Sequence, residues 1–470
     1  MRKTKILATI GPACNNYKTL KEMVLSGLNG VRINFSHGSI EANQKILDLA
    51  KQIREELHVP LSIVVDTRGP EVRVLKFKDG KTVLKKGQIF KFTNQTNEGD
   101  NGQVGVTRPI IFKALKEGAK VLACDGLIVL KVIEVKPNEI VCKVTAGGEI
   151  SNNKGLFFPG VEYNFEYLND ADKTDLIWAI KNDVDYIAAS FVNCKEDVLT
   201  LKKLVSEYGG KQEIISKIES KSGLKNLDEI IEASDGIMVA RGDLGVELPL
   251  QKLPKIQREM IEKTTSAGKF VITATEMLAS MQDNIRPTRA EVSDVANAVL
   301  QGTSTIMLSG ETAVGKYPVE TIRTMAQIAE QTEKDVENYK NFNSLIFKNK
   351  NIPDIVSHTA VSTSFALGSK AIMVLTNSGN SAKLISRFKP NCPIIAVTDE
   401  KQVYYKCGII GGVYPIVKQI PYGKVSDIFK LCETCAIESK VAKKGDYIVI
   451  SSASRHMEID TDFVKIVNIN

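Results

Sequence analysis

Eight times along this chain, a short apolar, β-branched run alternates with a longer stretch of helical period. The runs begin at Lys5, Gly30, Leu61, Tyr186, Glu213, Gly236, Lys269 and Thr305. Strands buried on both faces read as near-continuous apolar runs, and parallel strands need a crossover helix between them. Eight such units predict a closed (β/α)8 barrel. The rival is a doubly wound open sheet, which would carry a Gly-rich nucleotide turn after its first strand. No such turn is present. The polar residues that interrupt the pattern fall at the C-terminal ends of the runs, where barrels of this kind build their active sites.

The rhythm breaks once. From Pro70 the runs become short and alternating, broken by Asp79-Gly80, Lys86-Gly87 and Gly147-Gly148. This texture predicts an all-β insertion. It follows the third strand, so it sits over that strand's C-terminal end and is placed to act as a lid. A polar, Lys/Asn-rich linker precedes Ile355, where a separate α/β pattern restarts. The expected domains are residues 1–69 and 167–340 for the barrel, 70–166 for the lid and 341–470 for a C-terminal α/β domain.

Composition excludes several partners. At 43% hydrophobic and 25% charged residues, the chain is an ordinary globular one. A net charge of +7 over 470 residues is too diffuse to argue for nucleic acid. No apolar run reaches the length of a membrane span, and the N-terminal run is too short for a secretory signal. Eight scattered Cys fit reduced thiols in a cytoplasmic protein. Cys432 and Cys435 read as ordinary helix positions, because no second pair or His accompanies them.

The chemistry gathers at the strand ends. Lys217 and Glu219 share one face of the run Ile214–Glu219. Their plain reading is a structural ion pair, since buried charges need partners. The next strand also ends in a carboxylate, Asp243, flanked by Gly242. Hard divalent cations bind one or two carboxylates plus substrate phosphate, and a Lys beside them suits a migrating phosphoryl group. On the second strand Arg32, Asn34 and Ser36 share one face. The third runs into the polar segment Asp66-Thr67-Arg68-Gly69-Pro70-Glu71-Val72-Arg73.

The stretches TKILATIGPA, GVRINFSHG, DTRGPEVR, ISKIES, SDGIMVARGDLGVE, TATEMLASM, RPTRAEVSDVANAV and MLSGETA together resemble the pyruvate kinase family over nearly the whole chain. The resemblance implies phosphoryl transfer from phosphoenolpyruvate to ADP, giving pyruvate and ATP in the last step of glycolysis. It implies Lys217 as the group that stabilises the phosphoryl in flight. Arg32 would bind it from the other side, and Arg73 would help from the lid hinge. Glu219 and Asp243 would hold Mg²⁺ or Mn²⁺. Asn34, Ser36, Asp66 and Thr67 would hold K⁺. The N–H groups of Gly242 and Asp243 would receive the substrate carboxylate. Thr275 would position the proton that quenches the enolate. Asn34, His37, Arg73 and Lys154 would meet the nucleotide. A homotetramer is implied by analogy alone.

Departures from the family pattern are Glu276, Gln301, Phe157 and Ser220, none of which removes a ligand. The loop Thr376-Asn377-Ser378-Gly379-Asn380-Ser381 lacks the Arg of the family's effector loop. The C-terminal stretch also lacks the family's second, Gly-rich loop, so weak or absent activation by fructose bisphosphate is expected. Glu71 stands where a K⁺-independent variant carries Lys, so K⁺ dependence is expected. The alternatives are another phosphoenolpyruvate-utilising barrel and a catalytically silent regulatory relative. Intact Lys217, Glu219, Asp243 and Arg32 weigh against the second.

Overall fold

The computed structural model describes residues 1–36, 38–95, 98–124, 126–161, 166–338, 340, 342, 351–421, 425–453 and 461–469. Eight parallel strands close into a barrel: β1 (Lys5–Thr9), β2 (Gly30–Asn34), β3 (Ser62–Asp66), β4 (Tyr186–Ala189), β5 (Glu213–Ile218), β6 (Gly236–Ala240), β7 (Phe270–Ala274) and β8 (Thr305–Leu308). They pair in sequence order, and β8 returns to β1, with Lys5 opposite Thr305. Nearly every strand residue is buried, which is why the runs read as continuous rather than alternating. Leu7, Val64, Tyr186, Ile215, Met238 and Phe270 are among the side chains that fill the barrel.

The chain between β3 and β4 forms a seven-stranded sheet running from Val72–Arg73 to Gln103–Gly105, and a separate pair, Lys81–Leu84 with Gly148–Ser151. Its own apolar core includes Phe90, Phe92, Val121 and Ile140. Val72–Arg73 pairs with Gly155–Phe157. The entry to the insert and its exit are therefore hydrogen-bonded neighbours, and Arg73 stands at that hinge.

The C-terminal unit is a five-stranded sheet of β9 (Ala371–Leu375), β10 (Ile394–Thr398), β11 (Val413–Val417), β12 (Tyr447–Ser452) and β13 (Phe463–Asn468), in the order β11-β10-β9-β12-β13. Only β13 runs antiparallel. This unit plugs the end of the barrel opposite the strand C-termini. Ile409 joins the barrel's interior cluster, and its carbonyl accepts from Thr305 Oγ1 at 2.6 Å. Gly408 lies so close to the barrel that an added Cβ would come within 1.9 Å of Pro60 O. Cys432 and Cys435 are buried in the helix Val425–Glu438, and all eight Cys are free. No helix among the described residues is long and apolar enough to cross a membrane.

Two differences from the sequence reading have physical causes. β11 was not expected, because its run Val-Tyr-Pro-Ile-Val contains Pro415. It is an edge strand paired with β10 alone, where a missing N–H costs no ladder bond. The crossover after β5 is two helices, Lys221–Lys225 and Leu227–Ala233, where the rhythm of the barrel calls for one. Asn226 separates them, and its amide donates instead to Asn193 O at 2.8 Å.

Candidate active site

The C-terminal ends of β2, β3, β4 and β5 meet in one charged network. Asp66 and Glu219 are each 1% exposed and Lys217 and Arg32 each 8%, so none of the four can rely on water for solvation. Asp66 divides its oxygens between two cations. Oδ2 accepts from Arg32 Nε at 2.6 Å, and Oδ1 accepts from Lys217 Nζ at 3.0 Å. Lys217 Nζ also lies 3.0 Å from Glu219 Oε1 and donates to Ser190 Oγ at 2.7 Å. Glu219 Oε2 accepts the Phe191 N–H at 2.7 Å, and Arg32 Nη1 donates to Thr9 Oγ1 at 2.8 Å. Lys217 thus points at the two carboxylates that flank it.

The electrostatics follow from this packing. Burial alone would raise the Asp66 carboxyl, but Arg32 and Lys217 outweigh it and hold the group below its ordinary value. Burial would lower the Lys217 ammonium, but Asp66 and Glu219 outweigh it and hold it above the usual lysine range. Asp243 behaves in the opposite way. Its own burial, then the negative charge of Glu219 to which it is hydrogen-bonded, pushes its carboxyl well above the usual range. Two buried carboxyls that face each other must share a proton or a cation. A divalent ion fits the place of that proton. Among the described residues no group of three or more His, Cys, Asp or Glu forms a protein-only metal cage. Two carboxylates with positions left for substrate oxygens match the habit of Mg²⁺.

The β6 and β7 ends supply a second feature. Gly242 N donates to Thr275 Oγ1 at 2.8 Å, and that hydroxyl donates to Ala274 O at 2.6 Å. In this state Gly242's N–H is taken, so an incoming carboxylate would have to compete with the hydroxyl for it. Thr275 and Glu276 have φ of 69° and 53°. Two successive non-glycine residues in the left-handed region, one of them β-branched, carry strain of order 1–3 kcal/mol each. Arg241 over-determines the turn. Its Nε donates to Ala274 O at 3.1 Å, its Nη2 to Thr275 O, and its Nη1 to Asp294 at 2.6 and 2.8 Å.

The remaining expected residues are more dispersed. Asn34 is the register partner of Asp66, and its Oδ1 accepts the Ser36 N–H at 3.0 Å. Thr67 Oγ1 accepts the Ser190 N–H at 3.0 Å. Arg73 bonds Glu71 through Nε at 2.8 Å and Nη2 at 2.6 Å. Ser36, Glu71 and Arg73 line one face of a cavity of about 560 Å³ together with Arg108 and Asn169. Lys154 is exposed on the insert. His37 lies outside the described residues. Phe157 and Ser220 line a second cleft of about 440 Å³, between insert and rim. Ser220 also caps the helix after β5 by accepting Gly223 N at 3.0 Å.

Ser190, Thr9 and Arg241 were not singled out by the sequence reading. Ser190 is the hub: its hydroxyl receives Lys217, donates to Thr67 O at 2.7 Å and lies 3.1 Å from Asp66 Oδ1. One signal was available: Ser190 directly follows the apolar run Tyr186–Ala189, in the same strand-end position as the other site residues. Ser190→Ala is expected to lower stability by about 1–3 kcal/mol, because it leaves buried polar groups unpaired. A chemical-denaturation curve against the parent measures it.

Comparison with known proteins agrees with this geometry. The family described as "Pyruvate kinase, barrel domain" matches residues 1–322, and "Pyruvate kinase, alpha/beta domain" matches residues 354–467. A pyruvate kinase of Clostridium perfringens is 40% identical over 458 residues, covering 96% of both chains. One from Clostridium acetobutylicum is 39% identical with the same coverage. One from Sporosarcina psychrophila is 41% identical over 460 residues, 96% of this chain and 78% of its own length. The fold is therefore that of a barrel phosphotransferase. The chain belongs to the pyruvate kinase family.

Proposed function

We propose that this chain transfers the phosphoryl group of phosphoenolpyruvate to ADP, releasing pyruvate and ATP. The observation that carries the reading is the buried Arg32–Asp66–Lys217–Glu219 network, which aims two cations and a carboxylate at one point of the rim. Phosphoryl transfer needs little covalent help from the protein, and positioning with charge stabilisation supplies most of the rate. Lys217 and Arg32, anchored by Asp66, hold the charged oxygens of the transferring group. Glu219 and Asp243 would hold the divalent ion, Mg²⁺ or Mn²⁺, which would supply positive charge against the negative charge that develops in the transfer. Arg73, Lys154, Asn34 and His37 serve the nucleotide from the hinge and the insert. Thr275, fixed by Arg241 and Gly242, orients the water that protonates the enolate. A hydroxyl with an ordinary pKa is a poor acid itself.

Asn34, Ser36, Asp66 and Thr67 present amide, hydroxyl and carboxylate oxygens within one segment pair, a donor set that suits K⁺. Glu71 is already neutralised by Arg73 and carries no spare cation for the site. The insert from 70 to 166 acts as lid, the C-terminal unit from 341 to 470 as effector domain, and the working assembly is a cytoplasmic homotetramer. The test couples pyruvate formation to lactate dehydrogenase in buffers with and without K⁺. ADP-dependent pyruvate that needs K⁺ is expected. A full rate without K⁺ or Na⁺ overturns the monovalent site, and no ADP-dependent pyruvate overturns the function.

A further inference from the structure

The turn after β4 is held in a conformation its residues do not favour. Phe191 has φ 53°, in the left-handed region that a bulky residue seldom enters. Such a residue persists only where its surroundings over-determine it. Here the peptide group between Ser190 and Phe191 is held on both sides. Its carbonyl oxygen accepts from the Tyr167 hydroxyl at 2.9 Å, and its N–H donates to Glu219 Oε2 at 2.7 Å. Asn193 Nδ2 donates to the next carbonyl, Phe191 O, at 3.0 Å.

Tyr167 is anchored well enough to impose that geometry. It directly follows the insert and is buried in the apolar cluster that includes Leu176, Ile187 and Val198. Burial, and after it the carboxylates of Asp197 and Glu219, push its phenol well above the ordinary range, so the hydroxyl keeps its proton and donates. Gly69, at the other crossing between barrel and insert, packs on the same residue. A Cβ there would come 2.8 Å from Ser190 Cβ and 3.0 Å from Ser190 O. A hydrogen bond to a peptide carbonyl polarises the peptide and strengthens the bond its N–H makes. Tyr167, the Ser190–Phe191 peptide and Glu219 form such a chain. With Oε2 on the Phe191 N–H and Oε1 3.0 Å from Lys217 Nζ, the plane of the Glu219 carboxylate is fixed.

We propose that Tyr167 is a positioning residue for the divalent-ion site, acting through the Ser190–Phe191 peptide to orient Glu219. The proposal rests on reading Glu219 as a ligand of that ion. Without the Tyr167 hydroxyl, the Ser190 carbonyl is left buried and short of a donor. The peptide can then turn out of its left-handed setting, and its N–H no longer holds Glu219 Oε2 in place.

The test is Tyr167→Phe, which removes the hydroxyl and keeps the ring in its cluster. Mn²⁺ alone is titrated into the full-length parent, this variant and Leu201→Ala, with a thermal melt of each. Leu201 lies in the same cluster but takes no part in the hydrogen-bonded chain, so its truncation reads plain loss of stability. Losing a direct partner of a metal ligand costs roughly 10–100-fold in affinity, and Tyr167 acts one peptide further out. Tyr167→Phe is therefore expected to weaken Mn²⁺ binding about fivefold, while Leu201→Ala binds as the parent does. With phosphoenolpyruvate and ADP present, the rate of Tyr167→Phe should approach that of the parent as Mg²⁺ is raised. Equal Mn²⁺ affinity in parent and Tyr167→Phe overturns the proposal alone. So does equal weakening in Leu201→Ala, or a rate deficit that persists at saturating Mg²⁺. A parent that binds no Mn²⁺ overturns the metal reading itself, and the proposal with it.

Discussion

Lys217→Met is expected to lower kcat at least about 10³-fold, with a much smaller change in KM for phosphoenolpyruvate. The ammonium contributes most when negative charge is spread over the phosphoryl oxygens, and an interaction realised in the transition state appears in kcat. Met fills the side-chain volume without the charge. Asp66 keeps Arg32, but Glu219 loses the ammonium that lies 3.0 Å from its Oε1. Breaking a buried pair costs about 3–5 kcal/mol. Steady-state kinetics therefore need a thermal melt alongside. A folded variant with near-parental kcat would remove Lys217 from the chemistry.

Asp66→Asn is the second large effect, and it separates frame from catalyst. Asp66 touches no substrate in this account. It holds Arg32 at 2.6 Å and Lys217 at 3.0 Å, so its loss leaves two buried cations without their shared anion. A stability loss of about 3–5 kcal/mol is expected. The pH dependence has a definite sign. Because the folded Asp66 carboxyl lies below its unfolded value near 3.9, its contribution is complete above that value. It fades as pH falls towards the folded value. Lys217 lies above its unfolded value near 10.4, so its contribution is complete below that and fades as pH rises beyond it. Asn at position 66 should flatten the acid limb of stability against pH. Chemical denaturation between pH 3 and 7 reads both the loss and the flattening. An unchanged acid limb would mean the carboxylate is not the anchor.

The barrel was legible because parallel strands buried on both faces leave a strong signal: continuous β-branched runs at βα spacing. The site was legible for a related reason. Polar residues at the ends of apolar runs, such as Lys217, Glu219 and Asp243, have no structural excuse unless they find partners. The illegible parts are those that depend on partners far along the chain. Ser190 is one serine among many until β3, β4 and β5 bring Asp66, Thr67 and Lys217 around it. Arg241 looked like part of a motif, yet its work is to hold the carbonyls of Ala274 and Thr275 while anchored by Asp294. The left-handed pair Thr275-Glu276 carries no sequence mark, because neither residue is Gly or Asn. β11 was hidden by Pro415, harmless at a sheet edge and misleading in a run read alone.

The proposed chemistry rests on Glu219 and Asp243 gripping one divalent ion beside Lys217. Electron paramagnetic resonance titration with Mn²⁺ tests it most directly, comparing the parent with the Glu219→Gln and Asp243→Asn variants. One bound Mn²⁺ per chain is expected in the parent, with binding weakened at least about tenfold in either variant, in line with the loss of one of few ligands. Equal Mn²⁺ binding by all three proteins would contradict the claim.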